Sequence, residues 1–252
     1  MIELRCSNIL ITGGSSGIGK ATAKRFTEAG ASVVIVGRNR EKLESAAMEI
    51  SSPRLKYMQW DISNLSLCEV NFKKAAELMG GLDGFVNAAA LGSGALTGRG
   101  YEPWDITEEE WDILTEINFK AAFFMMRNEV DFMKERGICG NILNIASNAA
   151  CMDIIGSYGA AKQAIIKWTR AFGKRFGSDG IIINGIAPGA TFTPMIADYA
   201  HAIDQPYERH AIGRFIRPDE IAELALYLMS NYGEIICGHT VVADGGDRAA
   251  TL

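Results

Sequence analysis

The pair of residues best suited to do chemistry in this sequence is Tyr158 and Lys162, which stand four residues apart. The residues that follow are rich in Ala, Ile and Lys and predict a helix, on which side chains four apart share a face. A tyrosine has an ordinary pKa of about 10, and a neighbouring ammonium favours the phenolate and lowers that pKa. The pair therefore predicts an acid–base group that exchanges a proton with an alcohol or carbonyl oxygen. Alone the spacing is weak evidence, since a surface lysine beside a packed tyrosine gives the same pattern.

A second segment with functional spacing lies near the N-terminus. A short apolar run at 7–11 leads into a glycine-rich segment at 12–19 and then into an amphipathic stretch at 20–29. This order predicts a strand, a glycine turn and a helix. Glycines let a backbone approach a phosphate closely, and a helix N-terminus offers unpaired N–H groups and a partial positive charge. We therefore expect the pyrophosphate of a dinucleotide to bind here; the alternative is a Gly/Ser-rich turn without a ligand.

Apolar runs and helical stretches alternate along the whole chain. The apolar runs lack a strict two-residue alternation, which is typical of parallel strands covered on both faces. The predicted strands are residues 7–11, 32–36, 55–60, 84–87, 141–146, 181–186 and 240–243. The predicted helices are residues 20–29, 41–50, 66–79, 107–136, 158–176 and 218–230.

Polar motifs fall at the ends of several predicted strands. Asp61 closes the third strand, Asn87 ends the fourth, Ser147 follows the fifth, and Pro188 and Gly189 follow the sixth. Ligands of parallel sheets bind at the carboxyl ends of the strands. These separate segments therefore predict one shared site at that edge.

Together the motifs resemble the short-chain dehydrogenase/reductase family, in its single-domain type, over roughly residues 9–246. The matching segments are Thr-Gly-x-x-x-Gly-Ile-Gly at 12–19, Asn-Ala-Ala-Ala at 87–90, and Pro-Gly at 188–189. The resemblance, with the usual handedness of crossovers, implies a doubly wound parallel sheet, or Rossmann fold, with three α/β/α layers. We expect a single domain over residues 1–252.

The resemblance also assigns roles to residues. Ser147 would hold the substrate oxygen, Tyr158 would donate or accept the proton, and Lys162 would lower the pKa of Tyr158 and bind the nicotinamide ribose. Asn118 would hold a water near Lys162. The implied catalytic residues are Asn118, Ser147, Tyr158 and Lys162. The implied cofactor-binding residues are Gly13, Ser15, Ser16, Gly17, Ile18, Gly19, Arg38, Asp61, Ile62, Asn87, Ala88, Tyr158, Lys162, Pro188, Gly189, Thr191 and Thr193.

Two departures from the family pattern stand out. Ser147 and Tyr158 are eleven residues apart, a shorter separation than is usual in the family. Alanines at 88 and 90 replace an Asn and a Gly of the family segment, and a methyl group at 90 narrows the room beside the cofactor.

The cofactor preference depends on the end of the second strand. An acidic residue there accepts hydrogen bonds from the adenosine ribose and repels a 2′-phosphate, whereas an arginine binds that phosphate. This chain has Gly37 followed by Arg38. The sequence therefore favours NADP(H), with NAD(H) possible if Arg38 is only a solvated loop charge.

We expect an oxidoreductase that interconverts a hydrophobic secondary alcohol and its ketone, of the hydroxysteroid, 3-oxoacyl or related carbonyl class. The segment 192–210 resembles the family's mobile lid. The alternatives are an NAD-dependent alcohol dehydrogenase of the same fold and a non-catalytic NADP(H)-binding sensor. The candidate pocket walls are apolar or aromatic and include Trp104, Met152, Ile154, Phe192, Met195, Tyr199 and Tyr207.

Composition excludes other classes of function. The net charge of −5 comes without a basic stripe, so we expect no nucleic-acid partner. No apolar run approaches the ~18 residues of a membrane span, and the N-terminus lacks the apolar core of a signal peptide. Five scattered cysteines without Cys-x-x-Cys spacing predict reduced thiols in a cytoplasm and no metal site. We expect a homotetramer or homodimer, as is common in the family.

Overall fold

Seven parallel strands form one sheet in the order β3-β2-β1-β4-β5-β6-β7. The structure, a computed structural model, describes residues 2–92, 103–152, 156–197 and 200–247. The strands are β1 (Asn8–Thr12), β2 (Ser32–Gly37), β3 (Leu55–Gln59), β4 (Gly84–Asn87), β5 (Gly140–Ile145), β6 (Ile181–Pro188) and β7 (Thr240–Ala243).

Helices cover both faces of the sheet, so the predicted doubly wound, three-layer fold is confirmed. The α-helices are α1 (Gly17–Glu28), α2 (Arg40–Ile50), α3 (Cys68–Met79), α4 (Glu108–Thr115), α5 (Ala122–Glu135), α6 (Ser157–Phe176) and α7 (Pro218–Leu228). One core lies beneath α1, α2 and α7, and the other beneath α3, α5 and part of α6. In β1, Ile9 and Ile11 enter the first core while Leu10 enters the second, which explains the unbroken apolar run in the sequence.

The site is placed by the reversal of strand order beside β1. Strand β1 pairs with β2 on one side and with β4 on the other, and Thr12 lies opposite both Val36 and Asn87. The helix that follows β2, α2, covers one face of the sheet, whereas α5, which follows β4, covers the other. Connections that diverge to opposite faces open a crevice at the carboxyl ends of these strands. The residues after Thr12, Val36 and Asn87 therefore lie along one edge.

The predicted helix over 107–136 is present but changes from α- to π-helical geometry in its middle. It begins at Thr107, whose side chain forms a capping box with Glu110, but a π-helical turn at Glu116–Ala121 separates α4 from α5. A π turn adds a residue to one turn of an otherwise regular helix and is often found at functional sites. The apolar periodicity continues on both sides, so the sequence pattern did not show the insertion.

No helix within the four described ranges is long and apolar enough to cross a membrane.

The second core depends on a cluster of edge-to-face rings around Phe72 of α3. Its ring centroid lies 5.7 Å from that of Trp60, 5.0 Å from Phe85 and 5.5 Å from Phe132. We expect Phe72→Ala to lower the free energy of unfolding by about 3–5 kcal/mol, because it leaves a cavity among large rings. Urea unfolding measures this, with Met48→Ala as control, since Met48 is 74% exposed. Similar losses in the two variants would contradict the assigned core.

Candidate active site

Tyr158 and Lys162 lie together in the first turns of α6, as the spacing predicts. The Lys162 Nζ is 5.5 Å from the centroid of the Tyr158 ring and donates a hydrogen bond to the Ile145 carbonyl at 3.0 Å. The Tyr158 hydroxyl is 4.0 Å from the Met195 sulfur, a weak acceptor. The ammonium is thus fixed at the end of β5, and the phenol faces the segment that follows β6.

Burial changes the acid–base behaviour of Lys162. The side chain is 2% exposed, and desolvation lowers its pKa from an ordinary value of 10.5 to about 8. Lys162 is therefore mostly protonated at neutral pH but gives up its proton more readily than a surface lysine does.

Ser147 follows β5 and caps a 3₁₀ turn at Asn148–Cys151. Its Oγ accepts a hydrogen bond from the Ala149 N–H at 3.1 Å. Because this bond uses a lone pair of the oxygen, the hydroxyl hydrogen remains available to donate. This compact 3₁₀ turn forms part of the short connection between Ser147 and Tyr158.

Asn118 lies in the π-helical turn and is 2% exposed. Its Oδ1 accepts from the Leu91 N–H at 3.0 Å, and its Nδ2 donates to the Leu91 carbonyl at 2.7 Å. No hydrogen bond joins Asn118 to Lys162 in the part of the chain that the structure describes. The side chain therefore fixes the segment after β4, and its role in holding a water stays a prediction.

The glycine segment after β1 has the shape of a phosphate cradle. Gly13 has φ +67°, and a Cβ there would lie 2.8 Å from the Ala89 backbone. Ser16 caps α1 with an extended backbone and no side-chain hydrogen bond, and the first turn of α1 carries no acidic residue. The first N–H groups of α1 are thus left without a side-chain acceptor, which suits an anionic ligand.

The segment after β6 closes against this cradle. A Cβ on Gly17 would lie 3.1 Å from the Thr193 methyl. Pro188 ends β6, the Gly189 N–H donates to the Ala243 carbonyl at 3.0 Å, and the buried Thr191 hydroxyl donates to the Gly189 carbonyl at 2.9 Å. The predicted nicotinamide-side residues therefore share one rim with the glycine segment.

Two predicted adenosine-side residues, Arg38 and Asp61, line one cleft. Arg38 is exposed beside a cleft of about 390 Å³ that it shares with Asp61, Asp112 and Glu116. Asp61 Oδ1 accepts from the backbone and the hydroxyl of Ser63, at 3.0 and 2.9 Å.

The remaining predicted cofactor residues differ in position. Ile18 packs against the core beneath α1, and so does Ala88, whereas Ile62 lines a small internal cavity. Ser15 lies beside the end of β2, because a Cβ added to Gly37 would be 3.6 Å from the Ser15 Oγ.

A functional candidate that the sequence reasoning missed is Glu129, which is fully buried on α5. Its Oε2 accepts a hydrogen bond from the Asn87 amide at 2.9 Å. The signal was present, because Glu129 lies one turn from Met125 and one turn from Met133 on the buried face of α5. A carboxyl at such a position needs a structural or functional reason.

The predicted substrate walls are placed only in part. Met152, Phe192 and Met195 follow β5 and β6, but Trp104 is 81% exposed. The Tyr207 ring stacks on Phe215 with centroids 4.4 Å apart, so it packs within its own segment. The positions of Ile154 and Tyr199 lie outside the described residues.

Comparison with known proteins is consistent with this geometry. A family model described as enoyl-(acyl carrier protein) reductase matches residues 13–247. The chain is 33% identical over 258 residues to 2,5-dichloro-2,5-cyclohexadiene-1,4-diol dehydrogenase of Sphingobium indicum, covering 99% of this chain and 100% of that protein.

Solved structures of similar proteins also match nearly the whole chain. A variant of actinorhodin polyketide ketoreductase, solved with NADPH, matches with a TM-score of 0.85 at 26% identity, covering 95% of this chain and 97% of that one. The 3-ketoacyl-(acyl-carrier-protein) reductase from Brucella melitensis, complexed with NADH, matches with a TM-score of 0.83 at 29% identity, covering 94% and 96%.

Gly13 allows a direct test of the cradle, with Gly30 as its control. Both have positive φ, but a Cβ on Gly30 (φ +97°) would meet no atom within 4 Å. We expect Gly30→Ala to cost about 1–2 kcal/mol through backbone strain alone. Gly13→Ala should cost about 1–3 kcal/mol more through its clash with Ala89 and should abolish dinucleotide binding. Equal stability and equal binding in the two variants would show that the cradle is not used.

Proposed function

Because this chain belongs to the short-chain dehydrogenase/reductase family, whose members are oxidoreductases acting on CH–OH groups, we propose that it interconverts a hydrophobic secondary alcohol and its ketone with Tyr158 as the acid–base group. The observation that carries the proposal is the buried ammonium of Lys162, 5.5 Å from the centroid of the Tyr158 ring. A positive charge at that place favours the phenolate form of Tyr158. The phenol then gives its proton to a forming alkoxide, or takes one from an alcohol.

Ser147 and Asn118 complete the proposed set. Ser147 donates its free hydroxyl hydrogen to the substrate oxygen and so holds that oxygen near Tyr158. Since the Asn118 side chain is engaged with Leu91, we assign the water near Lys162 to the Asn118 backbone carbonyl. The weak contact of the Tyr158 hydroxyl with Met195 is then replaced by a bond to substrate.

The cofactor is a nicotinamide dinucleotide, which supplies or accepts the hydride when bound. The residues fit such a group, because the missing Cβ of Gly13 leaves room and the start of α1 offers N–H donors to a pyrophosphate. On the adenosine side we assign Asp61, Ile62, Asn87 and Ala88. On the nicotinamide side we assign the ribose to Tyr158 and Lys162, and the carboxamide to Pro188, Gly189, Thr191 and Thr193.

We assign NADP(H) as the preferred cofactor. Gly37 brings no carboxylate to the end of β2, and Arg38 beside it has no ion-pair partner among the described residues. A 2′-phosphate would find a guanidinium ready to bind it. NAD(H) remains the alternative, since the carboxylates of Asp61, Asp112 and Glu116 share the cleft and one solved relative carries NADH.

For the substrate we favour a cyclic alcohol or ketone. The described walls, Met152, Phe192 and Met195, are apolar and suit a hydrocarbon ring. The Sphingobium relative is named for a cyclohexadiene diol, and a matching solved structure is a polyketide ketoreductase.

We also propose a homotetramer or homodimer in a cytoplasm. Trp111 and Phe119 are each 43% exposed on the α4 side of the molecule. The ring centroid of Phe119 lies 4.9 Å from that of Trp168. Such rings suit an interface between copies. All five cysteines are unpaired, as expected for a reducing compartment.

Replacing Tyr158 by Phe removes the acid–base hydroxyl and leaves the ring. We expect kcat for ketone reduction to fall about 10²–10⁴-fold, because general acid catalysis contributes that much. Cofactor binding, measured by fluorescence titration, should persist and weaken only by the loss of one hydrogen bond to the nicotinamide ribose. Tyr232→Phe, at a residue 63% exposed, is the matched control and should keep full activity. Normal turnover by the Tyr158→Phe enzyme would refute the mechanism.

Arg38→Ala tests the cofactor assignment, with Arg40→Ala as control because Arg40 is paired with Glu44 at 2.8 Å. We expect NADPH affinity to fall about tenfold or more, the loss typical of a charged hydrogen bond, and NADH affinity to stay nearly constant. Both are measured as dissociation constants by titration. An equal effect on the two cofactors, or the same effect from Arg40→Ala, would remove Arg38 from this role.

A further inference from the structure

Glu129 is a carboxyl with no exposed surface and, among the residues that the structure describes, no opposite charge to balance it. Burial raises its pKa from an ordinary 4.5 to about 8, and the hydrogen bond from Asn87 only partly offsets this. No Lys, Arg or His within the described ranges pairs with it. The titratable group facing it from α3 is Cys68, and the buried Lys162 of α6 binds the Ile145 carbonyl instead. Glu129 therefore carries a proton at neutral pH.

Glu129 is one end of a chain of buried polar groups, here called the polar crossbar, that links four elements. The Asn87 amide donates one hydrogen to Glu129 Oε2 at 2.9 Å and the other to Asn144 Oδ1 at 3.0 Å. The Asn144 amide donates in turn to the Thr169 hydroxyl at 2.9 Å. The polar crossbar thus joins α5, β4, β5 and α6 beneath the carboxyl edge of the sheet.

Asn87 has room to move if one end of the polar crossbar is lost. A cavity of about 20 Å³ lies beside it, lined by Asn144, Thr12, Ile117 and Ile165 among others. A released side chain could turn into this space or admit a water, since one water needs roughly this volume. The hydrogen bonds to Glu129 and Asn144 are what fix the amide.

The position of Asn87 bears directly on the phosphate cradle. The next two residues donate their N–H groups to the Thr12 hydroxyl, Ala88 at 3.1 Å and Ala89 at 3.2 Å. Gly13 rests on the Ala89 backbone so closely that a Cβ would lie 2.8 Å from it. A shift at the end of β4 therefore reaches the glycine segment through one layer of backbone.

We propose that Glu129 is a positioning residue of the cofactor cleft, which holds Asn87 and, through Asn87, the backbone on which the glycine segment rests. The inference rests on the proposed function, because it takes that cleft as the dinucleotide site. It predicts that loss of the Glu129 acceptor weakens cofactor binding more than it slows the chemical step.

The test compares Glu129→Met, which removes the acceptor, with Glu129→Gln, which keeps an acceptor oxygen in the shape of the protonated acid. Steady-state kinetics at saturating substrate give KM and kcat for NADPH, and titration gives the dissociation constant. We expect Glu129→Met to raise both cofactor constants about tenfold, the order expected when a buried amide loses a partner, with kcat changed far less. Glu129→Gln should restore both constants to near the wild-type values.

Val130→Ala is the control for general destabilisation, because Val130 is buried on the same helix but outside the polar crossbar. It should lower the melting temperature without changing the cofactor constants. Unchanged constants in Glu129→Met, or equal changes in Val130→Ala, would overturn the positioning role. A wild-type protein that binds neither NADPH nor NADH would instead refute the proposed function.

Thermal melting without cofactor tests the proton on Glu129 and stays informative if Glu129→Met fails to fold. A carboxyl whose pKa is raised by folding stabilises the protein fully below the unfolded pKa of about 4.5, where it is neutral in both states. As the pH rises from there to about 8, the unfolded chain ionises while the folded chain stays neutral, so this stability is lost. Between about pH 5 and pH 8 the wild type should therefore lose melting temperature relative to Glu129→Gln. Parallel curves for the two proteins would show that Glu129 is ionised and would overturn the account of a neutral acceptor.

Discussion

The burial of one ammonium is the constraint on which the rest of the site depends. Lys162 is 2% exposed, and its one hydrogen bond among the described residues goes to the Ile145 carbonyl. Removing a charge from water is costly, which is why its pKa falls to about 8. A group kept under such strain at the carboxyl edge of a parallel sheet is best explained by use in chemistry. Ser147 follows Ile145 by two residues, so the ammonium and the proposed substrate-binding hydroxyl lie at the same end of β5.

The other half of the site is held by side chains that reach the segment after β4 from three directions. Thr12 of β1 accepts the N–H groups of Ala88 and Ala89, Asn118 of the π-helical turn binds both backbone groups of Leu91, and Glu129 of α5 binds Asn87. Ordering a segment with so little regular structure costs conformational entropy, and these hydrogen bonds offset that cost. The π turn has a clear part in this arrangement, because Asn118 lies within it and makes both contacts with Leu91.

Much of the fold followed from the sequence because its signals are local. Alternate residues of β1 and β2 enter cores on opposite faces, so both strands read as unbroken apolar runs. The spacing of Tyr158 and Lys162 was enough to place both on one side of α6. The π-helical turn was missed because the apolar pattern continues on either side of it. The partners of Asn118 and Glu129 were missed for another reason: they lie 27 and 42 residues away in sequence, and nothing in the local pattern specifies them.

At the proposed adenosine end of the cleft, the cofactor preference that we propose depends on few residues. Near the end of β2, Arg40 is held by Glu44, whereas Arg38 lines the cleft. Of the three carboxylates that line the same cleft, Glu116 is paired with Lys120 at 3.1 Å and Asp61 accepts two bonds from Ser63. The charge of Glu116 is therefore partly compensated before any ligand arrives, and the Asp61 carboxylate is already hydrogen-bonded. In an open cleft screened by water, distant charges count for little, and direct contact with a guanidinium decides whether a phosphate is favoured.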